Sequence, residues 1–432
     1  MVNRAKFQAI KGTRDLLPPE TELWNRVEQS AREVFATFGF GEIRLPIFEL
    51  TDLFARAVGG ETDIVSKEMY SFEYRDETSV SLRPEATASV CRAYLEHGMQ
   101  QLPAPVKLYY LGPMFRRERP QKGRYRQFYQ IGAEVLGGTD APGIDAEVIE
   151  MVMAFFSRLD LEGVQLEINS IGHSAGECRR GYVEKLRAAL EKVKDQLGED
   201  SRRRIETNPL RVLDSKLESE QAIIANLPRI GEHLCDACAK HYAEVKRQLE
   251  LRGVAFKENW RLVRGLDYYM RTTFEITAKG LGSQDAVCGG GRYDGLMELL
   301  GGPPTKGIGF AIGEDRLILS LQEAGKGGGV ARGRDVYIAW MGEGAQPAAI
   351  AAAQKLRNAG FRVELPPTEQ KFGKALGQAD KLGSRYALIL GEDEVASGLW
   401  TLKTLADGSQ QKYAEAELLA FLRKACSSPR LP

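Results

Sequence analysis

Apolar residues recur at helical spacing in the first long stretch of the chain. The pattern comprises Leu23, Trp24, Val27, Ala31, Val34, Phe35 and Phe38. Because Pro18 and Pro19 precede it and Gly39 follows it, the sequence predicts an amphipathic helix that begins after the prolines and ends at Gly39. Glu42 to Phe48 then has the pattern of a strand, and Pro46 restricts that strand to an edge or a bend.

Extended and helical patterns alternate from Val80 to Val164. We predict strands at Val106 to Leu111 and Phe128 to Leu136, and a helix at Ala146 to Leu159. Strands joined by hairpins as well as by helices indicate an α+β layer around an antiparallel sheet.

The sequence pattern changes between about residues 175 and 256, where charged runs with helical periodicity indicate a mostly helical insertion. These runs are Tyr182 to Leu197 and Tyr242 to Leu251. Strand patterns return at Trp260 to Val263, Thr272 to Thr277 and Ala286 to Cys288, so the sheet is expected to resume there.

A glycine-rich stretch, Gly325 to Gly329, has the composition of a flexible linker. Beyond it, short apolar runs at Val336 to Trp340, Arg362 to Leu365 and Tyr386 to Leu390 are separated by helical patterns at Gln346 to Asn358 and Lys371 to Leu382. We therefore predict one domain over residues 1–325, a linker over 326–333 and an α/β domain over 334–432.

Composition limits the class of protein. The chain has 432 residues, with 59 Lys and Arg balanced by 59 Asp and Glu, so any binding of nucleic acid must come from local patches. It has no apolar run long enough to span a membrane, and its six scattered cysteines do not form a disulfide framework. We expect a soluble protein of the reducing cytoplasm that does not associate with membranes.

The segment from Arg116 to Arg126 concentrates positive charge in a predicted hairpin. It contains six basic residues and one acid, with Pro120 and Gly123 at the turn. Arginine forks bind phosphate oxygens in pairs, and the neighbouring aromatic residues can stack on a base, so the segment suits a nucleotide polyphosphate. A solvated basic hairpin is the alternative. A Walker A string does not occur in the sequence, so ATP would have to be held by arginines.

Three further clusters combine glycine with charged or aromatic residues. Arg264 to Tyr269 could line a pocket, although it could equally be a turn followed by core tyrosines. Gly289 to Asp294 could let the backbone pass near a ligand, although glycine triplets are more often tight turns. Gly307 to Arg316 passes from a glycine-rich strand into a helix, but its spacing and surroundings do not fit the dinucleotide-binding fingerprint.

His233, Cys235, Cys238 and His241 have side chains that can bind zinc, and they include a Cys-x2-Cys pair. Because these four residues are too close in sequence to join two segments, a helix start with buried thiols is the preferred interpretation, and no metal ligands are predicted. His97 and His173 are expected to be structural.

The order of these motifs resembles the histidyl-tRNA synthetase family of class II aminoacyl-tRNA synthetases along nearly the whole chain. Phe38 to Glu49, Phe115 to Glu134 and Gly307 to Arg316 resemble the three class II motifs. Leu262 to Tyr269 and Gly290 to Leu296 resemble the two histidine-specific signatures. One departure is Ala86, where the family usually has glycine.

The resemblance implies a class II catalytic domain with a helical insertion and a C-terminal anticodon-binding domain. It implies histidine–tRNA ligase activity, with Arg116 and Arg264 as catalytic groups on opposite sides of the α-phosphate of ATP. Histidine would be bound by Glu85, Thr87, Gln130, Glu134, Tyr268, Tyr269 and Tyr293. ATP would be bound by Arg116, Glu118, Arg124, Phe128 and Arg316.

The resemblance also implies histidine, ATP with Mg²⁺, and tRNA(His) as substrates and partners, in a homodimer. The tRNA would be contacted through the C-terminal domain and the insertion, where Arg202 to Arg204 could meet the acceptor stem or form a solvated helix face. Two alternatives stay open: a silent paralogue that regulates a phosphoribosyltransferase, and a synthetase for another class IIa amino acid.

Overall fold

A computed structural model describes residues 7–59, 62, 64–173, 177–263, 266, 268–278, 286–327 and 333–426. Contacts between Cα atoms divide the chain into two compact units. Unit 1 consists of Met1–Leu16 and Leu23–Gly328, and unit 2 consists of Leu17–Glu22 and Gly329–Pro432. The domain boundaries predicted from the sequence stay a prediction.

Unit 1 is built on a mixed sheet that is mostly antiparallel. Its strands are β1 (Gly41–Glu42), β5 (Val106–Phe115), β6 (Gln127–Leu136), β7 (Gln165–Ser170), β8 (Lys257–Glu258), β9 (Met270–Thr277), β10 (Ala286–Arg292) and β11 (Gly307–Gly313). The order across the sheet is β1-β5-β6-β11-β10-β9-β7-β8 among the described residues. A smaller sheet contains β2 (Phe48–Leu50), β3 (Ser71–Glu73) and β4 (Ser79–Leu82) in the order β2-β4-β3.

Helices cover both faces of the large sheet because each has an apolar side to bury. Those of unit 1 are α1 (Glu20–Thr37), α2 (Thr51–Val58), α3 (Thr87–Glu96), α4 (Pro142–Arg158), α5 (Glu177–Glu191), α6 (Glu199–Thr207), α7 (Glu218–Ala225), α8 (Asp236–Leu251), α9 (Leu296–Leu299) and α10 (Glu314–Glu323). One core packs α1, α4 and α8 around Phe35, Phe155 and Phe274. A second core joins α2 and α3 to the helices α5 to α7.

Unit 2 has a five-stranded sheet of its own. Its strands are β12 (Val336–Trp340), β13 (Val363–Glu364), β14 (Tyr386–Leu390), β15 (Trp400–Thr404) and β16 (Gln410–Tyr413). The order is β13-β12-β14-β15-β16, with parallel pairing among the first three strands and antiparallel pairing after β14. The helices are α11 (Ala345–Asn358), α12 (Phe372–Lys381), α13 (Glu392–Ser397) and α14 (Glu415–Cys426).

The α+β fold predicted from the sequence is confirmed. The first predicted helix is α1, whose buried residues include Leu23, Trp24 and Phe35. The strands predicted at Val336 to Trp340 and Tyr386 to Leu390 have the predicted bounds. Four helices and short helical turns fill residues 177–251, as the charged helical runs indicated.

Two predicted strands are wrong. Glu42 to Phe48 does not form one strand, because β1 and β2 end and begin on either side of Pro46 and belong to different sheets. Trp260 to Val263 begins within a turn, in which the Leu262 N–H donates to the Asn259 carbonyl, and it does not extend the sheet. Gly289, Gly290 and Gly291 lie within β10, so they do not form the tight turn that was one interpretation of the sequence.

Candidate functional site

A cavity of about 460 Å³ opens on the large sheet of unit 1. Strands β5, β6, β9, β10 and β11 supply part of its wall, and the hairpin loop between β5 and β6 supplies another part. The predicted site residues that line it are Glu85, Thr87, Arg116, Glu118, Arg124, Phe128, Gln130, Tyr268, Tyr269 and Arg316. Residues from four separate stretches of sequence therefore meet in one cavity.

One end of the cavity is anionic and polar. The carboxylate of Glu85 accepts hydrogen bonds from the N–H groups of Thr87 (2.8 Å) and Ala88 (3.0 Å), at the N-terminus of α3. Burial raises the pKa of Glu85, while these donors and the nearby Arg116 oppose that rise. A carboxylate in this position can bind an ammonium group.

Gln130 of β6 adds an acceptor to the same end. Its Oε1 atom is buried and has no hydrogen-bond partner among the described residues. A buried acceptor without a partner costs free energy, which a ligand that donates a hydrogen bond would recover. The geometry therefore favours a ligand with an N–H group beside Gln130.

Glu134 lies just behind this end of the cavity and is almost completely buried. Its carboxylate accepts hydrogen bonds from the hydroxyl of Thr87 (2.7 Å) and from the hydroxyl of Tyr293. Burial raises the pKa of Glu134 to about 8, although both hydroxyl donors lower it. A carboxyl group with this pKa can exchange a proton with a ligand near neutral pH.

Glycines in β11 make room for these side chains. A Cβ atom at position 309 would overlap the Glu134 carboxylate, and a Cβ atom at position 307 would overlap the Tyr293 ring. The glycine-rich stretch therefore provides space beneath the polar end, which explains the absence of side chains at both positions.

Aromatic rings close this end of the cavity. The ring centroids of Tyr268 and Tyr269 lie 4.7 Å apart, and those of Tyr268 and Tyr293 lie 5.7 Å apart. The carbonyl of Tyr269 accepts a hydrogen bond from the Arg179 guanidinium (2.7 Å), which fixes the backbone at this point. Such rings can enclose a flat ligand group and hydrogen-bond its polar edge.

The other end of the cavity is cationic. Arg116 donates from Nε to the Pro84 carbonyl (3.0 Å), and its guanidinium carbon lies 5.2 Å from the centre of the Phe128 ring. Arg124 pairs with Glu118 at 3.3 Å. A fixed guanidinium beside an aromatic ring suits a nucleotide, because it offers a phosphate contact next to a surface for stacking.

The structure separates the predicted site residues into three groups. Ten of them line the cavity, and Glu134 and Tyr293 form the layer behind it. Arg264 lies outside the described residues, so its predicted position opposite Arg116 stays a prediction.

Several cavity residues were missed by reasoning from the sequence. Tyr110 of β5 and Glu275 of β9 face the cavity, as does Asp315 of α10. Asp315 accepts hydrogen bonds from the Tyr129 N–H (2.9 Å) and the Arg14 guanidinium (3.1 Å), and Arg14 also lies over the ring of Tyr125. The alternation of β5 could have placed Tyr110 on one face, but a single sequence carries no signal for which face meets the cavity.

Arg292, in the stretch that resembles the second histidine-specific signature, has a structural role. It forms buried ion pairs with Asp145 of α4 and with Asp294 (2.9 Å). These pairs tie β10 to α4 and leave Arg292 outside the cavity lining. Removal of one partner would leave a buried charge uncompensated.

His233, Cys235, Cys238 and His241, the possible zinc ligands in the sequence, do not form one cluster in the structure. His233 contacts Lys185 and His241 contacts the Asp140 carbonyl. Neither histidine belongs to the compact group of potential ligand atoms that includes the two cysteines. Cys235 and Cys238 instead lie beside His173 and Cys178. His173 therefore has close partners that sequence reasoning missed, because the fold brings distant segments together here; its expected structural role stays a prediction.

The run Arg202 to Arg204 is partly engaged within the insertion. Arg202 donates to the Leu197 carbonyl and Arg203 pairs with Asp200. Among the described helices, none combines the length and the apolar character needed to cross a lipid bilayer.

Family models and known relatives match nearly the whole chain. The sequence model of histidyl-tRNA synthetase matches residues 12–317, and that of the anticodon binding domain matches residues 335–425. Histidine–tRNA ligase of Koribacter versatilis is 52% identical over 427 residues, which cover 96% of each chain. Its counterpart in Solibacter usitatus is 53% identical over 420 residues, which cover 97% of this chain and 99% of the relative.

Solved structures agree. The apo S. aureus histidyl-tRNA synthetase superposes with a TM-score of 0.81 at 35% identity, and the match covers 97% of this chain and 100% of that one. A structure described as an ATP phosphoribosyltransferase regulatory subunit/histidyl-tRNA synthetase from Bacillus halodurans shares the fold at 22% identity, with a TM-score of 0.64 and coverage of 90% and 99%. The chain therefore belongs to the histidyl-tRNA synthetase family.

Proposed function

We propose that the cavity of unit 1 activates histidine with ATP and then transfers the histidyl group to the 3′ end of tRNA(His). The chain is a histidine–tRNA ligase by its family. The observation that carries the assignment to this cavity is that a polar, anionic end and a cationic, aromatic end face the same space. An amino acid and a nucleotide bound at these ends would have their reacting groups between them.

Histidine is proposed to bind at the polar end. Its α-ammonium group would be held by Glu85, Thr87 and the unpaired acceptor of Gln130. Its imidazole would reach Glu134 and Tyr269, with Tyr268 and Tyr293 around the ring. A pocket that hydrogen-bonds a polar ring rejects apolar amino acids, because they would leave its buried polar groups unpaired.

ATP is proposed to bind at the cationic end. Adenine would stack on Phe128, and Arg116 would contact the α-phosphate. Arg124 and Arg316 would hold the other phosphates and the outer face of adenine, with Glu118 paired to Arg124 beside them. A histidine carboxylate oxygen would attack the α-phosphorus, and the bond to the leaving pyrophosphate would break. Fixed guanidinium groups stabilise the negative charge that builds on the α-phosphate oxygens during this step.

Arg264 is proposed to complete that stabilisation from the side opposite Arg116. The proposal rests on the resemblance of Leu262 to Tyr269 to the histidine-specific signature. In the second step the terminal ribose hydroxyl would attack the adenylate carbonyl, and the bond between the carbonyl carbon and the phosphate oxygen would break. AMP would leave, and its phosphate would accept the proton of the hydroxyl.

Mg²⁺ is proposed to accompany ATP. The carboxylates of Glu118 and Glu275 line the cavity, and carboxylate and phosphate oxygens are the ligands that Mg²⁺ prefers. These two residues would hold the ion together with the phosphates of ATP. The ion would neutralise charge on the phosphates when bound.

Unit 2 is proposed to bind the anticodon of tRNA(His), because the anticodon-binding family model covers most of it. Unpaired bases of an anticodon can be splayed out and read individually. A contact between the insertion and the acceptor stem, a homodimer and a cytoplasmic location complete the proposal.

A pyrophosphate-exchange assay tests the proposed function. Exchange should require histidine, and threonine, proline or glycine should not replace it. Absence of exchange would favour the regulatory paralogue, while a preference for another amino acid would overturn the histidine pocket. Arg264→Ala should slow adenylate formation by orders of magnitude in single-turnover kinetics with little change in folding, whereas Arg261→Ala should have a much smaller effect.

A further inference from the structure

Three cysteines and a histidine from two distant parts of the sequence meet in unit 1, outside the cavity. They are His173, Cys178, Cys235 and Cys238, and one potential ligand atom from each lies within 4.8 Å of all the others. We infer that these four side chains form a structural zinc site that ties the helical insertion to the large sheet.

The distances match a tetrahedral ion better than a disulfide. His173 Nδ1 lies 3.2 Å from Cys238 Sγ, 3.4 Å from Cys178 Sγ and 3.8 Å from Cys235 Sγ. Cys178 Sγ and Cys238 Sγ are 3.9 Å apart. Zinc bonds of about 2.3 Å to sulfur and about 2.0–2.1 Å to nitrogen place tetrahedral ligand atoms about 3.5–3.8 Å apart. A disulfide would need a sulfur separation of about 2.05 Å.

The backbone is arranged to bring the ligand atoms together. His173 follows β7, and its loop is held to β9 by hydrogen bonds between Ile171 and Arg271 (2.8 Å) and between Arg271 and Gly172 (2.7 Å). Gly172 has a φ of 65°, and a Cβ atom there would come 2.5 Å from Cys178 Sγ. Glycine at this position therefore allows the thiol to approach the loop.

Three of the four ligands lie at the starts of two helices. Cys178 lies in the first turn of α5, while Cys235 precedes α8 and Cys238 lies in its first turn. Helix N-termini stabilise negative charge. Three thiolates and a neutral histidine around Zn²⁺ have a net charge of −1, and the guanidinium of Arg271 interacts with Cys238. Closed sets of four sulfur and nitrogen ligands are typical of structural zinc.

The site would join the loop after β7 to the start of α5 and the start of α8, so one ion would fasten two separate parts of the insertion to the sheet. The site would also affect the proposed histidine pocket indirectly, through Arg179. Arg179, next to Cys178, donates a hydrogen bond to the carbonyl of Tyr269 at 2.7 Å. Arg179 is therefore a positioning residue whose place depends on the zinc site.

Metal content of the full chain tests the inference. Protein purified under reducing conditions without chelator should contain about one zinc per chain, and Cys178→Ser and Cys235→Ser should each reduce this at least several-fold. Cys426→Ser is the matched control, because Cys426 lies in unit 2, and its zinc content should be unchanged. Cobalt in place of zinc should give the absorption of a tetrahedral thiolate site in the wild-type protein, a measurement that needs no variant to fold.

Removal of the metal provides a second readout. Chelation should lower the midpoint of thermal unfolding and raise the KM for histidine more than the KM for ATP, and added zinc should reverse both changes. Zinc-free protein that takes up no cobalt would overturn the inference. So would zinc retained in both cysteine variants, which would identify an adventitious ion only, or a disulfide among the three cysteines found by mass spectrometry of alkylated protein.

The test is separate from that of the proposed function. A zinc site without histidine-dependent exchange would leave the metal assignment intact, and exchange without zinc would leave the ligase assignment intact.

Discussion

Gly309 of β11 lies directly against the carboxylate of Glu134 on β6, and the two residues are paired in register across the sheet. Because a Cβ atom at position 309 would overlap that carboxylate, the position of Glu134 depends on the absence of a side chain from its neighbour. The Glu134 carboxylate then accepts hydrogen bonds from Thr87 and Tyr293.

Gly309→Ala should therefore displace Glu134 and weaken histidine binding. We expect the KM for histidine in pyrophosphate exchange to rise roughly ten- to hundredfold, because displacement of Glu134 would leave a buried polar group of the bound histidine without its hydrogen-bond partner. Gly295→Ala is the control, since a Cβ atom there meets nothing within 4 Å. Equal histidine KM values for Gly309→Ala and the wild type would contradict the assigned role of Glu134.

Gln130→Leu should separate binding from stability. Because Gln130 Oε1 is buried without a partner among the described residues, its loss should leave the thermal midpoint unchanged or higher. The KM for histidine should rise roughly tenfold or more. Ser320→Ala also removes a buried hydroxyl without a partner in the described structure, but Ser320 does not line the cavity. Its KM should stay unchanged; a loss of stability alone in Gln130→Leu would show a purely structural role.

The pKa of Glu134, about 8, predicts a dependence of stability on pH. Between about pH 4.5 and 8 the unfolded carboxyl group is ionised while the folded group retains its proton, so Glu134 makes folding less favourable as pH rises. Relative to the wild type, the unfolding free energy of Glu134→Gln should thus increase by roughly 2–5 kcal/mol across this range. Urea unfolding at several pH values measures the difference.

Glu298→Gln provides the control for that series, because Glu298 is exposed in α9. Its difference from the wild type should stay flat across the same range. A flat difference for Glu134→Gln as well would show that the buried carboxyl group does not retain its proton.

Arg116→Lys should slow adenylate formation by roughly a hundredfold or more, as expected on loss of a group that stabilises the transition state. Lysine keeps the charge, but it cannot offer the planar fork that Arg116 places over Phe128. Arg119→Lys, an exposed position in the same loop, should behave like the wild type. Single-turnover kinetics measures the step, and similar rates for both variants would place the α-phosphate elsewhere.

Periodic sequence patterns predicted the elements that bury one apolar face. The α1 helix was predicted because its buried positions repeat with the helical period. The strands β12 and β14 were predicted because each is a short, continuous apolar run. The strand predicted at Trp260 failed because that apolar residue packs from a loop into the second core. The hairpin of β15 and β16 carries a weaker pattern, since β16 has mostly exposed residues, and it was not predicted.

The residues of the cavity were predicted mainly from the order of the sequence motifs. Within one motif, residues such as Arg116 and Phe128 are close in sequence, so their proximity in the fold could be expected. The partners of Cys235 and Cys238 could not be found in this way. His173 and Cys178 are about 60 residues away and approach the two cysteines only when β7 and α8 pack together. Likewise, the unpaired oxygen of Gln130 is a property of burial, and sequence spacing does not reveal it.

The most direct test of the shared cavity is a crystal structure of the full chain with histidine and an unreactive ATP analogue. The predicted result places the α-ammonium within hydrogen-bonding distance of Gln130 Oε1, the adenine on Phe128 and the α-phosphate beside Arg116. Histidine and nucleotide bound at separate surfaces, or a histidine side chain that does not approach Glu134, would contradict it.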